Sequence, residues 1–546
     1  MGVPGFFRWI YHKHKESQLI TKKIESIESL FFDLNGLIHP QCQKVLETYF
    51  HFENIYKLEE KMIEGCIQYL HNIIKQIKPK QLVYIAIDGV APMAKIKQQR
   101  YRRYKSVSDL FMYNNIKKKY GMKVNKHWNN SSITPGTIFM DKLQKALYEF
   151  CSHLKKTTNL TIILSDSNCV GEGEHKIFKF IKKNKFANYM IYGLDADLIF
   201  LSIASNRDNI LLLREANQFN KNEKGFNIIK MDTFKELIVD IFEKEYKNQN
   251  KNNDMIKMDH QRLLYDFVIL YFLLGNDFIP HIPSLHIYHN GSDTIVSHYI
   301  QTFFIKKEYI LNETQDKINS DVLFTFFKLL SIEEQDYLHT IHMNDKKKYI
   351  PKSISDPYKK EIYRIQNLMF YYHDPIKLGV KGYEKRYYKH YNVQKVDKMV
   401  HHYLEMISWI HQYYFQSSTS WRTFYPYHAA PFVKDIITYF VPAYLNRSFK
   451  EDTPLCPFEQ LSCVLHPYSF YLLPKTIKMA YLDIKHKSQP TRFNLDYLYK
   501  TKHFKAIPII PNPDVEFASK IVKTCHPKLS EQEKNRNRIR KESFIF

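Results

Sequence analysis

The strongest constraint on the fold is an alternation in the first half of the chain, where short apolar runs are each followed by a longer segment of helical period. The runs are Leu30 to Leu34, Leu82 to Ile87, Thr161 to Leu164, Met190 to Gly193 and Ile210 to Leu213. This pattern predicts an α/β core with a parallel or mixed sheet flanked by helices. Several runs finish at or beside an acid, namely Asp33, Asp88 and Asp195. In open α/β sheets ligands bind at the carboxyl ends of strands, so these acids stand where a site belongs.

Two clusters add to them: Gly171-Glu172-Gly173-Glu174-His175 and Gly193-Leu194-Asp195-Ala196-Asp197. Asp277 follows Gly275-Asn276 at the end of a predicted buried helix, Gln261 to Leu274. The seven candidates Asp33, Asp88, Glu172, Glu174, Asp195, Asp197 and Asp277 are hard oxygen donors without a His/Cys pairing. Such a set selects Mg²⁺ or Mn²⁺ over Zn²⁺. Two such ions about 4 Å apart can activate a water and stabilise the departing oxygen of a phosphodiester. Any one acid has a simpler explanation, since Glu172 and Glu174 could cap a helix from His175 to Lys183. Seven together weigh against it, because so many close carboxylates repel one another unless cations intervene.

A second constellation lies just downstream of Asp88. A helix starting near Met93 would set Lys95, Gln99, Arg102 and Arg103 at i, i+4, i+7 and i+8, on one face. Arg grips phosphate oxygens bidentately and Lys adds a point charge, so this face suits a terminal phosphate. A solvated basic helix is the plainer meaning of such a run. The adjoining Asp88 favours the phosphate.

With 546 residues the chain is long enough for one large core or two ordinary ones. Its 80 Lys and Arg against 56 Asp and Glu give a net charge of +24, which favours a polyanionic partner such as nucleic acid. Cys42, Cys66, Cys151, Cys169, Cys456, Cys463 and Cys525 contain no C-x-x-C pair, which fits a reducing compartment. The segment Met1 to Arg8 lacks the apolar region of a signal peptide, and Gly2 lacks the Ser or Thr that myristoylation needs. The longest apolar run, Phe267 to Leu274, is too short to span a bilayer. A soluble intracellular protein is expected, cytoplasmic rather than nuclear, without membrane contact. Lys247 to Asp254 and Asp345 to Ser353 read as solvated loops. From about residue 355 the chain becomes helical, aromatic and proline-punctuated. The expected division is an α/β domain carrying the acids over 1–300, a connector over 301–354 and a mainly helical lobe over 355–546.

The chain resembles the Xrn family of 5′-to-3′ exoribonucleases. The segments that carry the likeness include Met1-Gly-Val-Pro4, Phe32 to His39, Ala86 to Arg103, Ile133 to Thr137, Gly171 to His175, Tyr192 to Asp197 and Gly275 to Pro280. In the second lobe they are Ser420-Trp421, Tyr425 to His428, Pro457 to Leu461 and Pro527-Lys-Leu529 running into Glu533. The resemblance implies a core of the PIN or flap-endonuclease kind, a helical lobe covering the site, and seven acids holding two Mg²⁺, with Mn²⁺ able to substitute. It implies that Lys95, Gln99, Arg102 and Arg103 bind the 5′-monophosphate of single-stranded RNA, while His39 and Trp421 stack its leading bases. Stacking suits a sequence-blind enzyme, because every base has a π-face. By themselves His39 would be an ordinary strand-end histidine and Trp421 a core anchor.

A monomer that releases nucleoside 5′-monophosphates processively, in RNA decay or processing, is expected. Two features depart from the family, Thr423 standing where a second Trp is usual and the basic stretch from Lys105 to Ile133 being short, and a compact version without the long C-terminal extensions is expected. Two alternatives remain open at this level, a flap-type DNA nuclease and an RNA-binding scaffold whose site has lapsed.

Overall fold

A computed structural model describes residues 6–546 except 7–9, 11–18, 24, 50–53, 125–126, 217–224, 251–256, 345–349, 373, 417–419, 451, 485, 499, 501 and 541–542. The Met1-Gly-Val-Pro4 segment, much of the Lys247 to Asp254 stretch and part of Asp345 to Ser353 therefore lie outside the described residues.

The alternation folds as an eight-stranded mixed sheet. Its parallel centre consists of β2 (Ser29–Asp33), β3 (Leu82–Ala86), β4 (Thr161–Ser165), β5 (Tyr189–Tyr192) and β6 (Ile210–Glu215). Two strands extend it antiparallel on one side, β7 (Phe226–Lys230) beside β6 and the short β1 (Ile20–Thr21) beyond. A hairpin of β8 (Asn494–Asp496) and β9 (Ile507–Ile509) stands apart. On the opposite edge β10 (Phe544–Ile545), from the far end of the described chain, pairs with β4. The order is β1-β7-β6-β5-β2-β3-β4-β10. Each predicted strand is present within two residues of its expected ends. The additions to the sheet are β7, which sits between β6 and β1, and the edge strands β1 and β10, each only two residues long and too brief to leave an apolar run.

Strands β2, β3 and β5 are buried on both faces, hence their unbroken apolar runs. Leu30, Phe32, Val83, Ile85 and Met190 face a layer built by the helices Asn35–Thr48, Ile55–Ile77 and Ile138–Thr157. Phe31, Tyr84 and Ile191 face the other way, into a core shared with Gly173–Lys183, Asp197–Ala204, Met231–Gln249 and His260–Phe272. That core continues through the second half of the chain to Leu445. A third apolar cluster joins Val90, Met93 and Ile96 to Phe458, Leu461 and Val464.

The helical second half packs directly on the helix Met93–Lys119. Lys97 Nζ donates to the carbonyls of Tyr425 and Tyr427, and Arg100 donates to those of Cys463 and Ser488. None of the seven cysteines forms a disulfide. Among the described residues no helix is long and apolar enough to cross a membrane.

Strand order reverses between the parallel neighbours β2 and β5, since the chain runs outward to β3 and β4 on one side and to β6 on the other. That switch point opens a crevice at the strand ends. Asp33 closes β2, and Asp88 and Asp195 follow β3 and β5 by two and three residues, so all three border it.

Candidate active site

Local geometry fixes each acid. Asn35 and Asp88 bond reciprocally: the Asn35 amide donates to Asp88 Oδ2 at 2.9 Å, and the Asp88 N–H donates to Asn35 Oδ1 at 3.1 Å. Asp88 Oδ1 accepts from the Gly173 N–H at 2.8 Å, at the start of the helix Gly173–Lys183. A Cβ on Gly173 would come within 2.8 Å of Asp33 Oδ1, so only glycine lets this backbone pass between the two carboxylates. Asp277 is delivered by a tight turn at Gly275, whose φ of 87° excludes a side chain that would meet His281 N at 2.7 Å.

Five of the seven acids form two overlapping triads. One carboxylate oxygen each from Asp33, Asp88 and Glu174 lie within 4.8 Å of one another, and the same holds for Glu174, Asp195 and Asp197. Glu174 belongs to both. Glu172 and Asp277 stand beside them and hold Lys95, whose Nζ is 2.8 Å from Asp277 Oδ2, is ion-paired to Glu172 Oε2, and lies 4.0 Å from Glu174. The capping explanation fails for Glu172: it occupies the N-cap position, yet its side chain makes no cap bond and instead accepts from Tyr413 Oη at 2.8 Å. Asp33 Oδ1 is buried without a hydrogen-bond partner among the described residues. An orphaned carboxylate oxygen beside two all-oxygen triads is the donor chemistry of a divalent metal site, and the residues fit one.

Charge crowding is visible in the acidities. Burial, with Asp88 and Asp195 adding, raises Asp33 well above the carboxylate range; burial and Glu172 do the same to Glu174. Burial and Asp195 lift Asp197 to about 7. Asp277 moves the other way, because the attraction of Lys95 overcomes burial. Lys95 is itself raised, as Asp277, Glu172 and Glu174 outweigh the cost of burying it.

A pH dependence follows. An acid whose folded pKa is raised favours the native state below its unfolded value near 3.8, and that contribution is lost as pH climbs to the folded value. Metal-free protein is therefore expected to lose thermal stability from about pH 5 to about pH 7. Excess Mg²⁺ should flatten the curve, since it binds the ionised acids. Melting curves in EDTA and in Mg²⁺ across that range check this; a metal-free optimum above pH 7 would contradict it.

The predicted basic face is real but graded. Lys95 and Gln99 are buried, Arg103 is half-buried and Arg102 is exposed. Lys95 lies within the acids rather than beside them. Gln99 accepts from Gln460 at 3.4 Å, whereas its neighbour Gln98, not anticipated, donates to Asp277 at 3.0 Å. Arg103 donates to the Thr134 hydroxyl, and burial with the adjacent Arg102 brings its guanidinium down to about 9. His39 is exposed on the first turns of Asn35–Thr48, within electrostatic reach of both arginines. Half-buried Trp421 reaches the N-terminus of the basic helix, its carbonyl accepting from Met93 N at 2.8 Å. Asp452 secures that loop by accepting from the Ser420 hydroxyl and from the N–H groups of Trp421 and Arg422. Thr423, in place of the expected Trp, donates to Ser420 Oγ at 3.0 Å.

Tyr413, Tyr414, Asn35, Gln98 and Asp452 were not foreseen. Their contacts cross more than 30 residues of sequence, apart from chain direction leaving no spacing to detect. The Tyr413-Tyr414 pair, polar-tipped within an apolar helix, was the one available signal.

Residues 1–216 match the family described as XRN 5′-3′ exonuclease N-terminus, and 257–361 with 356–546 match the Xrn1 helical domain. The chain belongs to the Xrn family. Among its relatives is a human protein named 5′-3′ exoribonuclease 1, 28% identical over 98% of this chain but only 35% of its own length. The Schizosaccharomyces pombe 5′-3′ exoribonuclease 1 is 27% identical, with 98% of this chain and 49% of that protein covered. The Candida albicans 5′-3′ exoribonuclease 2 is 26% identical, with 100% and 74% covered. This Xrn-family chain thus spans a third to a half of the first two relatives. A solved structure of the T5 D15 protein co-crystallized with metal ions aligns at 10% identity over 58% of this chain and 94% of its own, with a TM-score of 0.26, too low to bear on the fold.

Proposed function

We propose that this chain is a processive 5′-to-3′ exoribonuclease that hydrolyses single-stranded RNA carrying a 5′-monophosphate to nucleoside 5′-monophosphates. The observation that carries this reading is the pair of carboxylate triads sharing Glu174 at the foot of a basic helix. Asp33, Asp88, Glu174, Asp195 and Asp197 would hold two Mg²⁺, or Mn²⁺ in their place, with Glu172 and Asp277 as the outer acids. When bound, the ions supply the charge that activates a water and stabilises the departing 3′-oxygen.

The remaining roles belong to the chain. Arg102, Arg103 and Gln99 bind and orient the 5′-phosphate, and Lys95 links that face to the acids. His39 and Trp421 stack the leading bases from opposite sides, Trp421 being held by Met93 and Asp452. The helical lobe over 355–546 excludes bulk water by packing along the basic helix, and the nuclease domain over 1–300 supplies the acids, with 301–354 connecting them.

A time course on end-labelled RNAs that differ only in the 5′ group, with a matched DNA control, tests this. Mononucleotides are expected from 5′-monophosphate RNA in Mg²⁺, with 5′-hydroxyl and 5′-triphosphate RNA spared. Equal loss of all three RNAs would refute the phosphate pocket, and preference for flapped DNA would transfer the chain to the structure-specific DNA nucleases.

A further inference from the structure

We infer that Tyr413 and Tyr414 are positioning residues of the metal centre, the Tyr414 hydroxyl holding Asp197 in the orientation that binds divalent cations and the Tyr413 hydroxyl holding Glu172 in its pairing with Lys95. The inference rests on the metal reading above and extends it to residues outside the acidic set.

Both tyrosines lie on a π-helical turn, Gln412–Gln416, at the end of the helix Val396–His411. A π turn carries one residue more between hydrogen-bonded groups than an α turn, and such insertions concentrate at functional sites. Here the turn aims two successive side chains at the acids. Tyr414 Oη donates to Asp197 Oδ1 at 2.8 Å, and Tyr413 Oη donates to Glu172 Oε1 at 2.8 Å. Asp197 belongs to a triad, so Tyr414 acts on a candidate ligand directly. Glu172 has its other oxygen ion-paired to Lys95, so Tyr413 completes the fixing of the acid that holds the lysine.

The rings are themselves immobilised. Tyr413 stacks on His175 with centroids 3.7 Å apart and on Trp409 at 4.8 Å. Tyr414 packs against Phe272 at 4.7 Å and edge-on to His175 at 5.4 Å. Both side chains are buried, so neither hydroxyl swings into solvent. A rigid donor to a carboxylate is the arrangement by which an outer partner orients a metal ligand, and loss of such a partner typically lowers metal affinity 10–100-fold.

The test is calorimetric titration of Mn²⁺ into RNA-free protein. Tyr414→Phe keeps the ring and its packing and removes only the donor; it is expected to weaken Mn²⁺ binding about tenfold, and the Tyr413→Phe/Tyr414→Phe pair further. Tyr387→Phe removes an equally buried hydroxyl, one that donates to the Ala430 carbonyl at 2.7 Å, and is expected to leave the isotherm unchanged. In activity assays the tyrosine variants should need correspondingly more Mg²⁺ for half-maximal rate and recover most of it at saturation. Mn²⁺ isotherms of the double variant that match the unaltered protein would overturn the inference, as would equal weakening by Tyr387→Phe. Absence of Mn²⁺ binding by the unaltered protein would refute the metal reading itself, a distinguishable failure.

Discussion

Glu174→Gln is expected to slow RNA degradation by about a thousandfold or more while raising the melting temperature of the metal-free protein. Glu174 is the one acid common to both triads, so its neutralisation removes charge from both. A metal's charge stabilisation is worth several kcal/mol, and about 4 kcal/mol is three factors of ten. Asp33→Asn touches a single triad and should cost less. The stability gain has a separate origin. Burial and Glu172 hold the Glu174 carboxyl well above its usual range, and the opposing Lys95 is 4.0 Å away, farther than it is from either of its other partners. Burial and repulsion together therefore outweigh that attraction, and a neutral isostere relieves both, a stability–function conflict common at active sites. Melting in EDTA and single-turnover rates in Mg²⁺ measure the two effects. Activity within about tenfold of the unaltered enzyme would contradict the shared-ligand geometry, and a lower melting temperature would mean that attraction to Lys95 dominates.

The chain shows its fold more openly than its site. Strands buried on both faces must be apolar throughout, so β2, β3 and β5 are plain in the sequence. The two-residue β10, whose partner Leu164 lies 380 residues from Phe544, has no local signal at all. The acids were visible because strand ends and the turn at Gly275 fix them locally. Their division was not: whether a carboxylate joins a triad or pairs with Lys95 depends on the depth of a helix that begins at Met93, a tertiary fact. The same depth explains why Lys95 and Gln99 are buried while Arg102, on the same helical face two turns on, is exposed. Helical periodicity assigns a face without saying how much of it another element covers. Tyr413 and Tyr414 were hidden for a further reason, since a π turn shifts the phase that an α-helical reading assumes.

Lys95→Met is expected to destabilise the metal-free protein by about 3–5 kcal/mol, the cost of leaving buried charges without their partner. Only 5% of Lys95 is exposed, and burial works against its charge; the ammonium is nevertheless favoured because Asp277, Glu172 and Glu174 more than compensate. Methionine preserves the length and apolar stem but returns two carboxylates to a buried, crowded site. Since the lysine's folded pKa is raised, its contribution is complete throughout the neutral range and fades only in strong alkali. The deficit should nevertheless shrink below about pH 7, where Asp197 takes up a proton and the crowding eases. Excess Mg²⁺ should recover much of the loss by supplying the missing positive charge, so the variant's melting temperature becomes more sensitive to Mg²⁺ than that of the unaltered protein. Denaturant unfolding in EDTA, repeated with Mg²⁺, tests both points. Equal stability of the two proteins in EDTA would show that the Lys95 ion pairs contribute nothing net.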